Sequence, residues 1–335
     1  MTRTGCWAYC LLCLLPLRMV AAADFTPTAQ DAFVAPDAKL ERLWAEGEFT
    51  EGPALAPDGS LVFSDIGNTI YRFDPATKKV GVYCEKSGRA NGLMFNQKGE
   101  LVACEGANTG GGRRISITSA DAKIRTLSDN YDGKRFNSPN DLAIAPSGDV
   151  YFTDPRYVGD DPRDLDFEGV FLVRPDGKTS IATKDVTKPN GILISQDGKT
   201  AFVADHHPSK EQGRVLLKFD VAQDGTLTNK QVLHSFGPHR GIDGMTLDTK
   251  GNIYATAGSG ARAGIYVFSP IGKHLALIKL PGDPTNCVFG GGKESSMLYI
   301  TAAAPTATGG GKYGLYRIPL KTRGYHVVRL ESKVK

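Results

Sequence analysis

A chain of 335 residues, 41% hydrophobic and 23% charged, carries enough apolar material for one large or two ordinary globular domains. Its formal charge of +4 is slight, and Arg3 and Arg18 fall in a leader expected to be removed, which leaves 38 basic against 36 acidic residues. That balance offers no electrostatic footprint for nucleic acid or an anionic membrane surface as a partner.

Residues 1–23 read as a signal peptide, with a basic Arg3, an apolar run over residues 6–15, and small residues at Ala21 and Ala23. The run is too short to anchor the chain, since a membrane span needs ~20 apolar residues. The mature protein is therefore expected to start at Asp24, to be secreted or periplasmic, and to have no membrane partner after cleavage. Cys6, Cys10 and Cys13 leave with the leader. Cys84, Cys104 and Cys287 remain, too few and too scattered for a disulfide framework or a zinc site. Cys104 and Cys287 sit in apolar runs and read as buried thiols, while a Cys84–Cys104 bridge stays open.

Residues 24–39 are polar and proline-bearing, an N-terminal arm, and residues 40–335 form the main domain. Residues 40–45 (LERLWA) read as a strand. A repeated pattern then begins: a polar lead residue, a small residue, an apolar segment, a Gly turn and a second apolar run. The lead positions are Glu51, Asn91, Asn140, Asn190, Asp243 and Asn286, spaced 40 to 53 residues apart. That spacing means a repeat architecture. Each unit holds about four short strand-like runs; in the second they are 93–95, 101–104, 114–118 and 124–127, and in the fifth 245–247, 253–256, 264–268 and 276–279. No segment keeps a helical apolar period. Six units of about four strands specify an all-β, six-bladed β-propeller, its ring closed by a terminal strand, either 40–45 or 326–330.

Between the runs lie glycine-rich stretches at 108–114 and 306–314 and an acidic insertion at 155–168. The first two read as loops over one face, because neither opens a helix as a phosphate loop must. The insertion reads as a solvated surface loop. His206 and His207 follow a strand and read as a surface pair rather than a catalytic one.

In a propeller the first strand of each blade lines the central channel, so the six lead residues are expected to form a ring at one mouth. One Asn-Gly is most simply a turn, but six copies at one offset, two of them acids, are not explained by turns. A ring of carboxylate and amide oxygens without His or Cys suits a hard cation, and Ca2+ takes such ligands at roughly 2.3–2.6 Å; other divalent cations remain possible. Arg89 and Arg240, close to the column in sequence, are candidate substrate contacts; Arg135 reads as exposed. Of the ring members only Glu51 and Asp243 can accept a proton from water. Asp243, flanked by Gly241 and Gly244, has the room to do so and is the expected general base.

The motifs Thr50-Glu51-Gly52-Pro53, Asn137-Ser138-Pro139-Asn140-Asp141-Leu142, Pro189-Asn190-Gly191 and Asp243-Gly244-Met245 together resemble the gluconolactonase/senescence-marker-protein (regucalcin) family over nearly the whole mature chain. The resemblance implies a six-bladed propeller and a metal-dependent lactonase acting on a small-molecule lactone. It implies Glu51, Asn190 and Asp243 as metal ligands, Asn140 as a metal or substrate contact, and Asn91 and Asn286 as pocket lining. It supports Asp243 as the base. The regucalcin substrate arginine, two residues before Asn140, is replaced by Ser138. The alternative class is a non-enzymatic sugar- or protein-binding propeller with a structural ion.

Overall fold

Residues 26–209, 213–305 and 312–328 are described in the computed structural model. The expected signal peptide at 1–23 and most of the second glycine-rich stretch lie outside the described residues. Six four-stranded antiparallel sheets and one two-stranded hairpin make up the sheet structure of the described residues. Each four-stranded sheet is a blade; five are built in chain order from the innermost strand outward, and the sixth takes its outermost strand from the N-terminal end. Blade 2, for example, comprises Ala90–Phe95, Leu101–Glu105, Arg114–Thr118 and Ile124–Ser128. Blade 5 comprises Ile242–Leu247, Ile253–Ala257, Gly264–Phe268 and His274–Lys279. These bounds follow the apolar runs and the Gly turns between them.

Burial explains the strand sequences. Second strands such as Ile253–Ala257 are covered on both faces and are apolar or small throughout, as a strand buried on two sides requires. The outermost strand of blade 1, Lys79–Glu85, faces water along much of its length and carries charge. The core consists of apolar layers between neighbouring blades. One joins blades 1, 2 and 6 through Phe63, Leu93 and Tyr299; another joins blades 2 and 3 through Cys104, Phe136 and Phe152. The six innermost strands touch one another in sequence around the axis, the last against the first.

The N-terminal strand closes the ring. Glu41–Gly47 pairs antiparallel with Tyr313–Pro319 as the outer strand of blade 6. Trp44 packs against Phe63 and Tyr71 at ring-centroid distances of 5.5 and 4.8 Å, and Arg317 Nε reaches Glu41 Oε2 at 2.8 Å. With that edge taken, the chain after residue 324 runs elsewhere. Tyr325, His326, Val327 and Val328 line the lower end of the channel around an apolar cavity of about 90 Å³, with Tyr325 N–H donating to the Leu247 carbonyl. The arm is docked rather than loose: its short helix Gln30–Phe33 buries Phe33 against Tyr254, and Gln30 bonds both ways to the Leu277 backbone. The hairpin Asn130–Tyr131/Lys134–Arg135 was not anticipated from the apolar pattern. Asp132 and Gly133 both have positive φ at its turn, the conformation a two-residue hairpin prefers. Cys84, Cys104 and Cys287 are free thiols, so the possible Cys84–Cys104 bridge is absent.

Candidate active site

Five inner strands share one irregularity. Their pairing with the second strand shifts register next to the lead residue: between Glu51 and Ala54, Ala90 and Leu93, Pro189 and Ile192, Ile242 and Met245, and Pro284 and Asn286. In blade 3 the regular strand begins only at Leu142, after Asn140. A bulge re-aims a side chain and bends its strand, which turns the lead residues toward the axis. Small residues after the lead let neighbouring blades converge. A Cβ on Gly52, whose φ is +39°, would stand 2.0 Å from the Asn91 carbonyl oxygen, and one on Gly244 would meet Asn286 Cγ at 2.0 Å. The Asn-Gly and Asp-Gly pairs therefore serve strand convergence, not turns.

Glu51, Asn91, Asn140, Asn190 and Asp243 line the floor of one cavity of about 700 Å³. Asp243 accepts Asn190 Nδ2 at 2.7 Å on Oδ1 and Arg240 Nη2 at 2.6 Å on Oδ2. Gly52 N–H donates to Glu51 Oε2 at 3.0 Å. Burial, followed by the charges of Asp243 and Asp141, raises the Glu51 carboxyl well above the usual range. Burial also raises Asp243, and the Arg240 guanidinium opposes that rise. Asn286 departs from the expected ring: it lies among the residues lining the channel below. Its Oδ1 accepts the Cys287 N–H at 2.8 Å, and its side chain hydrogen-bonds Glu51 and Asp141. It supports the floor rather than facing substrate. Its amide sits in the space that Gly244 leaves open by carrying no side chain.

The cavity walls come from residues that the repeat does not predict. Arg89 and Arg240 line it as expected, and so do Arg214, Tyr157, Val158 and Ser138. The 155–168 insertion is a fixed wall, not only a solvated loop. Arg156 Nε donates to the Asn137 carbonyl, Arg113 Nη1 donates to the Pro162 carbonyl, and Leu165 is buried. Asp161 accepts the Asn108 N–H at 2.9 Å, tying the first glycine-rich loop to it. His206 is a cavity residue and not part of a surface pair. Its Nε2–H donates to the Ile242 carbonyl at 2.6 Å, Nδ1 faces the Tyr157 hydroxyl at 3.3 Å, and burial pushes the ring down to about 4. His207 instead accepts the Ser209 N–H, and Arg135 is exposed.

Three buried carboxylates hold the loops that deliver the lead residues. Asp65 accepts the N–H groups of Glu48 and Phe49, Asp154 those of Asn137 and Ser138, and Asp205 those of Thr187 and Lys188. Each staples the residues three and two places before a lead residue. The signal in the sequence is an Asp at the end of the second strand, 14 or 15 residues after the lead. Asp141 was equally hidden. It stands where other blades carry Gly or Cys, directly beneath Asn140, and burial raises its carboxyl to about 7.

Among the described residues no three His, Cys, Asp or Glu side chains gather as a metal-binding group. The donor set at the floor is of another kind, two carboxylates with amide oxygens beside them, which is oxygen-only and carries two negative charges. A buried carboxylate raised by the charge of another, as Glu51 is by Asp243, calls for a cation or a proton between them. The residues therefore fit a hard divalent ion. Asn190 now turns its amide nitrogen to Asp243, so it would join the ligands only with that amide reversed.

The model of the SMP-30/gluconolactonase/LRE-like region matches residues 49–304. The gluconolactonase of Zymomonas mobilis is 30% identical over 298 residues, which cover 82% of this chain and 81% of the relative. Regucalcin of Xenopus laevis is 26% identical over 249 residues, 73% of this chain and 80% of the relative. Among solved structures, a gluconolactonase of Xanthomonas campestris superposes with a TM-score of 0.74 at 29% identity, covering 87% of this chain and 92% of the other.

Proposed function

The chain belongs to the SMP-30/gluconolactonase/LRE-like family, and from that premise we propose an exported, calcium-dependent lactonase whose general base is Asp243. The protein is a lactone-hydrolysing enzyme for a small-molecule lactone, as its gluconolactonase relatives are by name. That relationship decides against the non-enzymatic binding propeller. The observation that carries the finer reading is the convergence of Glu51, Asn190 and Asp243 at the floor of one large cavity.

Glu51, Asn190 and Asp243 would hold the cation, with Asn140 beside them. When bound, the ion supplies Lewis-acid polarisation of the lactone carbonyl and a countercharge for the developing oxyanion. An oxygen-only set with two carboxylates favours Ca2+ over zinc. Asp243 takes a proton as water oxygen attacks the carbonyl carbon. The ring acyl C–O bond then breaks, and the departing alcohol oxygen receives that proton, giving the open hydroxy acid. Burial makes Asp243 a stronger base than a free carboxylate, while Arg240 keeps it ionised and oriented.

Hydrolysis of glucono-lactone should disappear after exhaustive treatment with a chelator and return with Ca2+ more fully than with Mg2+ or Zn2+. Glu51→Gln should weaken Ca2+ affinity much more than Asn91→Ala. Full activity in demonstrably metal-free protein, or equal loss of affinity in the two variants, would overturn the assignment. Export belongs to the same proposal: the N-terminal sequence of mature protein should begin at Asp24, and an intact Met1 in the membrane fraction would count against it.

A further inference from the structure

The cavity above the ring sets three guanidinium groups against three carboxylates among its described lining residues, but they are not evenly paired. Arg89, Arg214 and Arg240 line it, against Glu48, Glu51 and Asp243. Were a divalent cation to take Glu51 and Asp243, Glu48 would be the carboxylate left among the described lining residues to offset Arg89 and Arg214. Arg240 is committed, through Nη2 to Asp243 and Nη1 to the Gly258 carbonyl at 3.1 Å. Arg89 is committed in part, its Nε donating to the Ala107 carbonyl at 3.0 Å. Arg214 makes no side-chain hydrogen bond or ion pair with any described residue.

Arg214 is nevertheless held in place. Its stem lies over Gly241, where a Cβ would stand 2.6 Å from Arg214 Cβ and 3.2 Å from His206 Nε2. Lys188 adds to the same side, its Nζ 4.8 Å from the Tyr157 ring centroid. The charges of Arg214, Arg240 and Lys188 all act on His206, which stays neutral among them. A half-buried guanidinium fork with its donors unmatched is a site for a planar anion.

We propose that this wall binds a carboxylate that the substrate carries in addition to its lactone, and that Arg214 is the residue that selects for it. The substrate class is then the acidic sugar lactones, whose carbon chain ends in a carboxylate, rather than the neutral aldonolactones. The inference rests on the lactonase reading of the same cavity.

The test compares D-glucono-1,4-lactone with D-glucaro-1,4-lactone, which share a ring and differ in having a hydroxymethyl or a carboxylate at C6. The wild-type enzyme should favour the acidic lactone in kcat/KM by tenfold or more, the worth of a charge-assisted hydrogen bond. Arg214→Ala should collapse that ratio at least tenfold, mainly through KM of the acidic lactone, and Arg214→Lys should keep part of it. Gly241→Ala, which displaces the Arg214 stem with the charge intact, should act in the same direction. Added salt should raise KM for the acidic lactone more than for the neutral one. A wild-type preference for the neutral lactone, or a ratio indifferent to Arg214, overturns the proposal. If neither lactone is hydrolysed, the lactonase reading fails first. Calorimetry with open-chain glucarate and gluconate then decides the wall: tighter glucarate binding lost in Arg214→Ala upholds it, and equal binding refutes it.

Discussion

Asp243 takes both of its oxygen contacts from donors, Asn190 on one side and Arg240 on the other, so its orientation is set before any ligand arrives. Asp243→Asn keeps the shape and removes the base. General-base catalysis contributes about 10²–10⁴-fold, so kcat at saturating Ca2+ should fall by that factor while elemental analysis still finds the ion. A variant that holds its metal and keeps the wild-type rate would move the base elsewhere, with His206 the next residue to test. The lead column itself was legible because a repeated offset stands out from a single Asn-Gly. The downward turn of Asn286 and the place of Asp141 were not, since both depend on how closely two neighbouring blades approach.

Among the elements, the short loops before Glu51, Asn140 and Asn190 are each held by a buried carboxylate. Asp205 accepts Thr187 N–H at 2.9 Å and Lys188 N–H at 2.7 Å just before Asn190. Removing a buried acceptor strands its donors at a cost of ~1–3 kcal/mol each. Asp205→Ala should therefore lower the urea unfolding free energy by about 3 kcal/mol and weaken Ca2+ binding as Asn190 loses its position. Asp205→Asn, which keeps one acceptor oxygen, should recover part of both. A full loss of stability with unchanged Ca2+ affinity would show that the staple supports the fold alone. The same logic reclassifies the acidic insertion. Its composition suggested solvent, but Leu165, Arg156 and the Asp161–Asn108 bond fix it as a cavity wall.

At the scale of the whole ring, the two chain ends do different work. Glu41–Gly47 closes the last blade, and the segment after Gly324 covers the lower channel. His326 is half-buried there, Nε2–H donating to the Gly290 carbonyl at 3.1 Å, and desolvation pushes it down from 6.5 to about 4. The sign follows from linkage: the unfolded chain binds a proton below about 6.5 that the folded chain refuses until about 4. Stability from the neutral ring is present above pH 6.5 and is lost as pH falls toward 4. The urea midpoint of wild type relative to His326→Gln should therefore drop across that window and stay level above it. A difference independent of pH would mean that His326 takes up its proton in the fold as readily as in the unfolded chain.

By itself the sequence determined the blade count, most strand positions and the lead column, because strand burial and Gly turns are local properties that a repeat multiplies sixfold. It also carried the family motifs. Tertiary structure alone decided which end closes the ring, because residues 40–45 and 326–330 are equally apolar and only Trp44 finds Phe63 and Tyr71 to pack on. It decided that His206 and Arg214 face the cavity, because those positions come from blade 4 loops and strand ends whose direction depends on blade 5 beside them. It decided the downward turn of Asn286 as well, since a side chain near a crowded axis goes where its neighbours leave space.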